Sequence, residues 1–200
     1  MITIIDYKAG NLFSVQNALK QIGIESLITS NPQDIIKAKK IIFPGVGAAG
    51  SAMKNLKKLN LIAPIKNYIK SNRPFLGICL GAQILLEKSE ENSAKCLNII
   101  PGKNLKFKIN NLTVPHMGWN QVRIIKKNKL FTDIPSNSFF YFIHSYYLSP
   151  KEKISVIGET NYGINFASVL QINNLYAVQF HPEKSAKIGL KLLNNFCKLC

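Results

Sequence analysis

The strongest constraint on the fold is an alternation that runs through the first half of the chain. The apolar run "ITII" begins at Ile2, and in "GNLFSVQNALKQIG" after it Leu12, Val15, Ala18, Leu19 and Ile22 recur at helical spacing before Gly23. "IESLIT" and "KIIFPGVG" are further strand patterns with polar or helical material between them. Ser51 to Lys70 reads as two helical pieces, broken near Asn60 and punctuated by Pro64. "PFLGI" then predicts a strand and "AQILLEKS" a helix. A parallel sheet flanked by helices is the simplest architecture for such alternation.

Past about Pro101 the pattern changes to strand-like runs between turns: "LKFKI", "NQVRII", "SFFYFIHSYYL", "KISVIGET", "INFASVLQI" and "LYAVQF". This half predicts an antiparallel or mixed extension of the parallel sheet. A last amphipathic helix, roughly Ser185 to Leu199, carries Ile188, Leu192, Leu193 and Phe196 on one face. Neither an internal repeat nor a low-complexity linker divides the sequence, so residues 1–200 are expected to form one domain with a shared core.

Composition narrows the class of protein. Apolar residues make up 46% of the 200, spread along the chain, which argues against disorder. With no apolar run of membrane-spanning length and no secretory pattern at the start, a soluble, cytoplasmic protein is expected. Cys79, Cys96, Cys197 and Cys200 are too few and too scattered for a disulfide framework. The Cys197–Cys200 pair has no second half with which to build a zinc site, and no metal is expected. The formal charge of +16 raises the possibility of nucleic-acid binding. All cations but Arg73 and Arg123 are lysine, however, and no recognition motif accompanies them. A solvated lysine-rich surface is the better reading, with a preference for anionic substrates or an acidic partner protein.

Three segments carry chemistry. In "LGICLGAQ", Cys79 stands between Gly77 and Gly81 where a strand pattern gives way to a helical one. This has the form of a nucleophile elbow, in which a tight turn exposes the central side chain to the positive end of the following helix. "YAVQFHPEKS" puts His181 after a strand and Glu183 two residues further on. An imidazole held by a carboxylate is what a cysteine nucleophile needs as proton acceptor and donor. "FPGVGAAG" is a glycine-rich strand-to-helix turn without a Walker lysine. It can offer a backbone N–H from the Val46–Gly47 region, with the N–H of Leu80 as a second donor, to an oxyanion. Taken singly, a glycine-flanked core cysteine and a surface turn with a helix-capping glutamate are the structural alternatives.

In this order, the three segments resemble the class I, or triad, glutamine amidotransferases. The resemblance implies a flavodoxin-like α/β fold and hydrolysis of glutamine to glutamate and ammonia without a cofactor. It makes Cys79 the nucleophile, His181 the general base and acid, and Glu183 the group that orients the ring. Gly45, Gln83, Glu91 and Ser145 match positions that bind the substrate L-glutamine. "IDYKAGNLFSV", "VPHMGWNQV", "FYFIHSYY" and "VQFHPEKS" are similar to one branch, the glutaminase subunits of imidazole glycerol phosphate synthase. That likeness implies a heterodimer with a (β/α)₈-barrel cyclase, and neither nucleic acid nor membrane as partner. It puts Asn11, His116, Met117, Trp119 and Asn120 at the docking surface or the ammonia route. The cyclase would make imidazole glycerol phosphate and an aminoimidazole carboxamide ribotide from PRFAR, in histidine biosynthesis. A related subunit serving another synthase, such as one that amidates a sugar for surface polysaccharide, is the alternative. Lys8 and Ala49 depart from the branch, where glycine and phenylalanine are common.

Overall fold

The computed structural model describes residues 1–200. Twelve strands and six α-helices follow one another along the chain. The first half runs β1 (Ile2–Ile5), α1 (Leu12–Gln21), β2 (Ser26–Thr29), α2 (Pro32–Lys37), β3 (Ile41–Gly45), α3 (Ala49–Lys58), α4 (Ile62–Lys70) and β4 (Phe75–Cys79). After α5 (Leu80–Gln83) come β5 (Leu86–Ser89), β6 (Ile100–Lys106), β7 (His116–Ile124), β8 (Ser138–His144) and β9 (Tyr146–Pro150). The chain ends with β10 (Val156–Tyr162), β11 (Ile164–Ile172), β12 (Leu175–Val178) and α6 (Ala186–Leu199).

The strands form one sheet in the order β2-β1-β3-β4-β12-β11-β10-β7-β8, with β5, β6 and β9 branching from it. From β2 to β12 all neighbours are parallel, which is the flavodoxin-like order with β12 as fifth strand. From β12 to β8 every pairing is antiparallel. The sequence reading of a mostly parallel sheet with a mixed extension describes this arrangement.

Strand pleating divides the core in two. Ile5, Ile41, Phe43, Phe75 and Ala177 project to one face, against Ile35 of α2, Ala52 and Leu56 of α3, and Ile65 and Tyr68 of α4. Ile4, Ile42, Leu76, Ile78 and Val178 project to the other, under Val15 and Leu19 of α1 and Leu192, Leu193 and Phe196 of α6. The α6 residues are the ones its helical spacing had picked out, and each contributes roughly 1.5–3 kcal/mol by burial. No helix is long and apolar enough to cross a membrane.

The structure corrects several boundaries. "AQILLEKS" is not one helix: α5 stops at Gln83 and Leu86–Ser89 is a strand. Ile84, Leu85 and Leu86 are buried all round, and their carbonyls accept hydrogen bonds from the amides of 97–100 instead of from the next helical turn. "SFFYFIHSYYL" breaks at Ser145 into β8 and β9, which pair with different strands. "LKFKI" overlaps only the end of β6, and β7 begins at His116, so "HMGWN" is strand and not turn. Lys153–Ser155 is a single 3₁₀ turn ahead of β10. Lys8 has φ +63°, a left-handed conformation in which glycine is unstrained.

Candidate active site

The carboxyl ends of β3, β4 and β12 lie side by side, and strand register decides which residues meet there. Gly45 pairs with Cys79 across β3 and β4, and Val178 pairs with Ile78 across β12 and β4. Gln179 to His181 therefore leave the sheet beside the cysteine. Clefts outside the carboxyl ends of parallel strands are where such sheets bind ligands.

Cys79 is the last residue of β4, and its φ of +52° is a strained value for a side-chain-bearing residue. The flanking glycines are explained by close approach. A Cβ on Gly81 would overlap the Phe43 carbonyl, and one on Gly77 would come within 3.0 Å of the Ala82 backbone. Both glycines let α5 press against the sheet while the elbow turns. Gly45 is equally constrained, because a Cβ there would overlap the hydroxyl of buried Tyr7 and stand 2.9 Å from the Gly81 nitrogen. The Tyr7 hydroxyl itself has no hydrogen-bond partner.

His181 and Glu183 form a buried pair, with Nδ1 to Oε1 at 2.7 Å and both side chains 2% exposed. Two contacts fix the histidine backbone, and a third steadies one of them. Its N–H donates to the Tyr141 carbonyl, the Ser185 hydroxyl donates to its carbonyl at 2.6 Å, and that hydroxyl accepts from the Tyr141 N–H at 2.9 Å. His181 Nε2 is buried without a hydrogen-bond partner in good geometry. Burial by itself depresses the imidazole, but the neighbouring Cys79 sulfur and the Glu183 carboxylate outweigh it and raise its pKa from 6.5 to about 10.

Cys79 and His181 line one cavity of about 310 Å³, together with Val46, Gly47, Leu80, Gln83, Glu91 and Ser145. Gly45 adjoins it through its pairing with Cys79. The size suits a small polar metabolite. The Gln83 side-chain nitrogen already donates to the Tyr146 carbonyl at 2.7 Å and to Gln179 Oε1 at 3.3 Å, which leaves its oxygen to meet a ligand. Glu91 accepts from the Ala49 N–H at 2.7 Å through one oxygen, at the start of α3. Gly47 has φ +97° in open space. No group of three His, Cys, Asp or Glu side chains is placed to hold a metal ion.

The positions expected at a docking surface divide by strand parity. Met117 and Trp119 lie on the outer face of β7, 59% and 52% exposed. Their register partners Ile143 and Tyr141 lie on β8, where Phe139 is also 52% exposed. His116 is on the opposite face, 3% exposed and stacked between Phe142 and Tyr162, so it is no surface residue. Asn120 is half-buried on that inner side, and Asn11 is half-buried at the start of α1.

Sequence reasoning missed Gln179, Tyr7, Ser185, His144 and Tyr146. Gln179 had left a signal, as the one polar residue in the apolar run "LYAVQF".

The profile of the family described as "Glutamine amidotransferase class-I" matches residues 3–200. The chain is 49% identical over 207 residues to the imidazole glycerol phosphate synthase subunit HisH of Maridesulfovibrio salexigens, covering 100% of this chain and 97% of that one. It is 50% identical over 200 residues to the HisH subunit of Methanocaldococcus jannaschii, covering 100% of each. Among solved structures, a glutamine amidotransferase superposes with TM-score 0.78 at 15% identity, covering 100% of this chain and 98% of that one. PurLQS from Thermotoga maritima does so with TM-score 0.78 at 15% identity, covering 98% and 96%. The structural likenesses carry the fold alone, and the sequence matches carry the family: the chain belongs to the class-I glutamine amidotransferases.

Proposed function

We propose that this chain is the glutaminase subunit of an imidazole glycerol phosphate synthase, hydrolysing glutamine and passing ammonia to a cyclase barrel. The observation that carries the chemistry is the meeting of Cys79 with the His181–Glu183 pair in one cavity. The full-length similarity to HisH subunits supports the choice of synthase.

In this reading the Cys79 thiolate attacks the glutamine carboxamide carbon. The oxyanion is met by the Leu80 N–H at the start of α5 and by an N–H of the Val46–Gly47 segment, where glycine lets the peptide turn over as a switch. His181 gives its proton to departing ammonia and then draws one from the water that cleaves the thioester. The free oxygen of Gln83 accepts from the substrate ammonium. Glu91 adds negative charge on that side, and Ser145 holds the substrate carboxylate.

The exposed apolar ribbon of Met117, Trp119, Phe139 and Ile143 is the docking face for the cyclase. Ile143 belongs to the ribbon and also lines the cavity, so ammonia leaving the sulfur has a short path to the partner. The test is a pull-down with the cyclase, followed by a glutaminase assay with and without PRFAR. Co-elution and stimulated hydrolysis are expected. Hydrolysis without any complex would assign the ammonia to a different synthase.

The raised His181 pKa gives a pH prediction. Because the folded value lies above the ordinary one, the imidazolium's contribution to stability is full below about pH 6.5 and fades as pH rises through about 10. Ammonia departure needs the same proton, so hydrolysis is expected to decline as pH approaches 10. Glu183→Gln removes one of the groups holding the proton and is expected to move that alkaline limb to lower pH. Comparing the two pH–rate profiles checks it, and coincident limbs contradict the coupling.

A further inference from the structure

The buried polar groups behind the cavity form two runs of hydrogen bonds that converge on the Tyr146 carbonyl, and the direction of each link is fixed. Asn120 sets that of the first run: its Oδ1 accepts from the Gln121 N–H at 2.8 Å, and its Nδ2 donates to the Asn161 carbonyl at 2.9 Å. The same Nδ2 lies 3.2 Å from His116 Nε2, which must therefore be the acceptor. The His116 proton then sits on Nδ1 and is given to His144 Nε2 at 3.0 Å. His144 in turn carries its proton on Nδ1 and donates to the Tyr146 carbonyl at 2.8 Å.

The second run meets that carbonyl through amides. The Tyr146 oxygen is an acceptor, so the nitrogen end of Gln83 must face it, at 2.7 Å. The second proton of that nitrogen goes to Gln179 Oε1 at 3.3 Å. This turns the nitrogen of Gln179 towards Cys79, where Nε2 lies 3.9 Å from the sulfur. Flipping Gln83 would set two acceptors against each other and flipping Gln179 two donors, in a buried site where Gln179 is fully buried and Gln83 is 6% exposed.

We propose that the Gln179 carboxamide is the fixed hydrogen-bond donor to the reacting sulfur, aimed there through Gln83 by the Tyr146 carbonyl. A donor held against sulfur favours thiolate over thiol, because the charged form accepts the stronger bond. His144, held by His116, donates to the same carbonyl, so the two histidines steady that acceptor and do not set the direction of the amides. Their run needs both rings neutral, and burial supplies that by lowering His116 to about 4 and, helped by His116 and His181 against the Tyr146 carbonyl, His144 to about 3. The other titratable groups around the sulfur are His181 with Glu183 behind it, buried Tyr7, and Glu91 and Lys184 on the cavity wall. None of these is altered by the variants below.

The inference rests on Cys79 as the nucleophile of the proposed function, and the experiment keeps the two apart. The rate of Cys79 alkylation by iodoacetamide is followed against pH in the full chain, with peptide mass spectrometry separating Cys79 from Cys96, Cys197 and Cys200. Gln179→Met keeps the side chain's length and removes the donor, and its alkylation midpoint is expected to rise by about one pH unit, a tenfold loss of thiolate below it. Gln179→Leu removes the donor as well, and a rise of similar size is expected. If Gln179→Met does not fold, Gln179→Leu decides. A midpoint equal to that of the parent in either folded variant overturns the proposal. Alkylation reads the sulfur whatever its role, whereas persistence of glutamine hydrolysis in Cys79→Ala would remove the nucleophile assignment itself.

Discussion

Cys79→Ala is expected to lower glutamine hydrolysis by roughly four to six orders of magnitude, the range seen when a covalent nucleophile is removed from a cooperating set. Its environment offers no substitute: the other cysteines are Cys96, Cys197 and Cys200, none of which lines the cavity. Ammonia supplied from solution bypasses the missing sulfur, so ammonia-dependent turnover by the complex with its cyclase is expected to persist. The two activities, measured side by side, separate loss of chemistry from loss of fold or docking. Hydrolysis surviving at more than about a hundredth of the parental rate would exclude the thioester route.

Gly81→Ala is expected to cost about 3 kcal/mol or more, at or beyond the upper end for forcing an extra methyl into a packed site. The added carbon would overlap the Phe43 carbonyl, which is backbone of a central strand and cannot swing aside. Relief requires α5 to lift from β3, and that motion carries Cys79 and Leu80 with it. Chemical denaturation measures the stability, and a loss below about 1 kcal/mol would show that the helix moves freely. Gly47→Ala is a contrast, since a Cβ there meets nothing within 4 Å and only the φ of +97° opposes it.

What the sequence revealed and what it concealed have physical causes. The βα alternation and the period of α6 were legible because strands buried on both faces and a helix buried on one write their burial directly into composition. The elbow was legible for the same kind of reason, since glycines at Gly77 and Gly81 mark backbone brought too close for a side chain. The end of α5 was hidden, because "ILL" is apolar at every position and both a helix and a buried strand accept that. Strand parity separated His116 from Met117, and a motif read as a unit does not disclose that its alternate residues face opposite ways. Gln179 was passed over because its partners, Gln83 and Cys79, come from a strand and helix about a hundred residues earlier.

The position of β12 has a consequence for the order in which this molecule becomes itself. The fifth parallel strand is supplied near the end of the chain and slots between β4 and β11. Synthesis has already passed β11 before the partner edge of β4 can be filled, and until then Cys79 and His181 belong to separate pieces of polypeptide. Chains that stop short of β12 are therefore expected to show no glutamine hydrolysis.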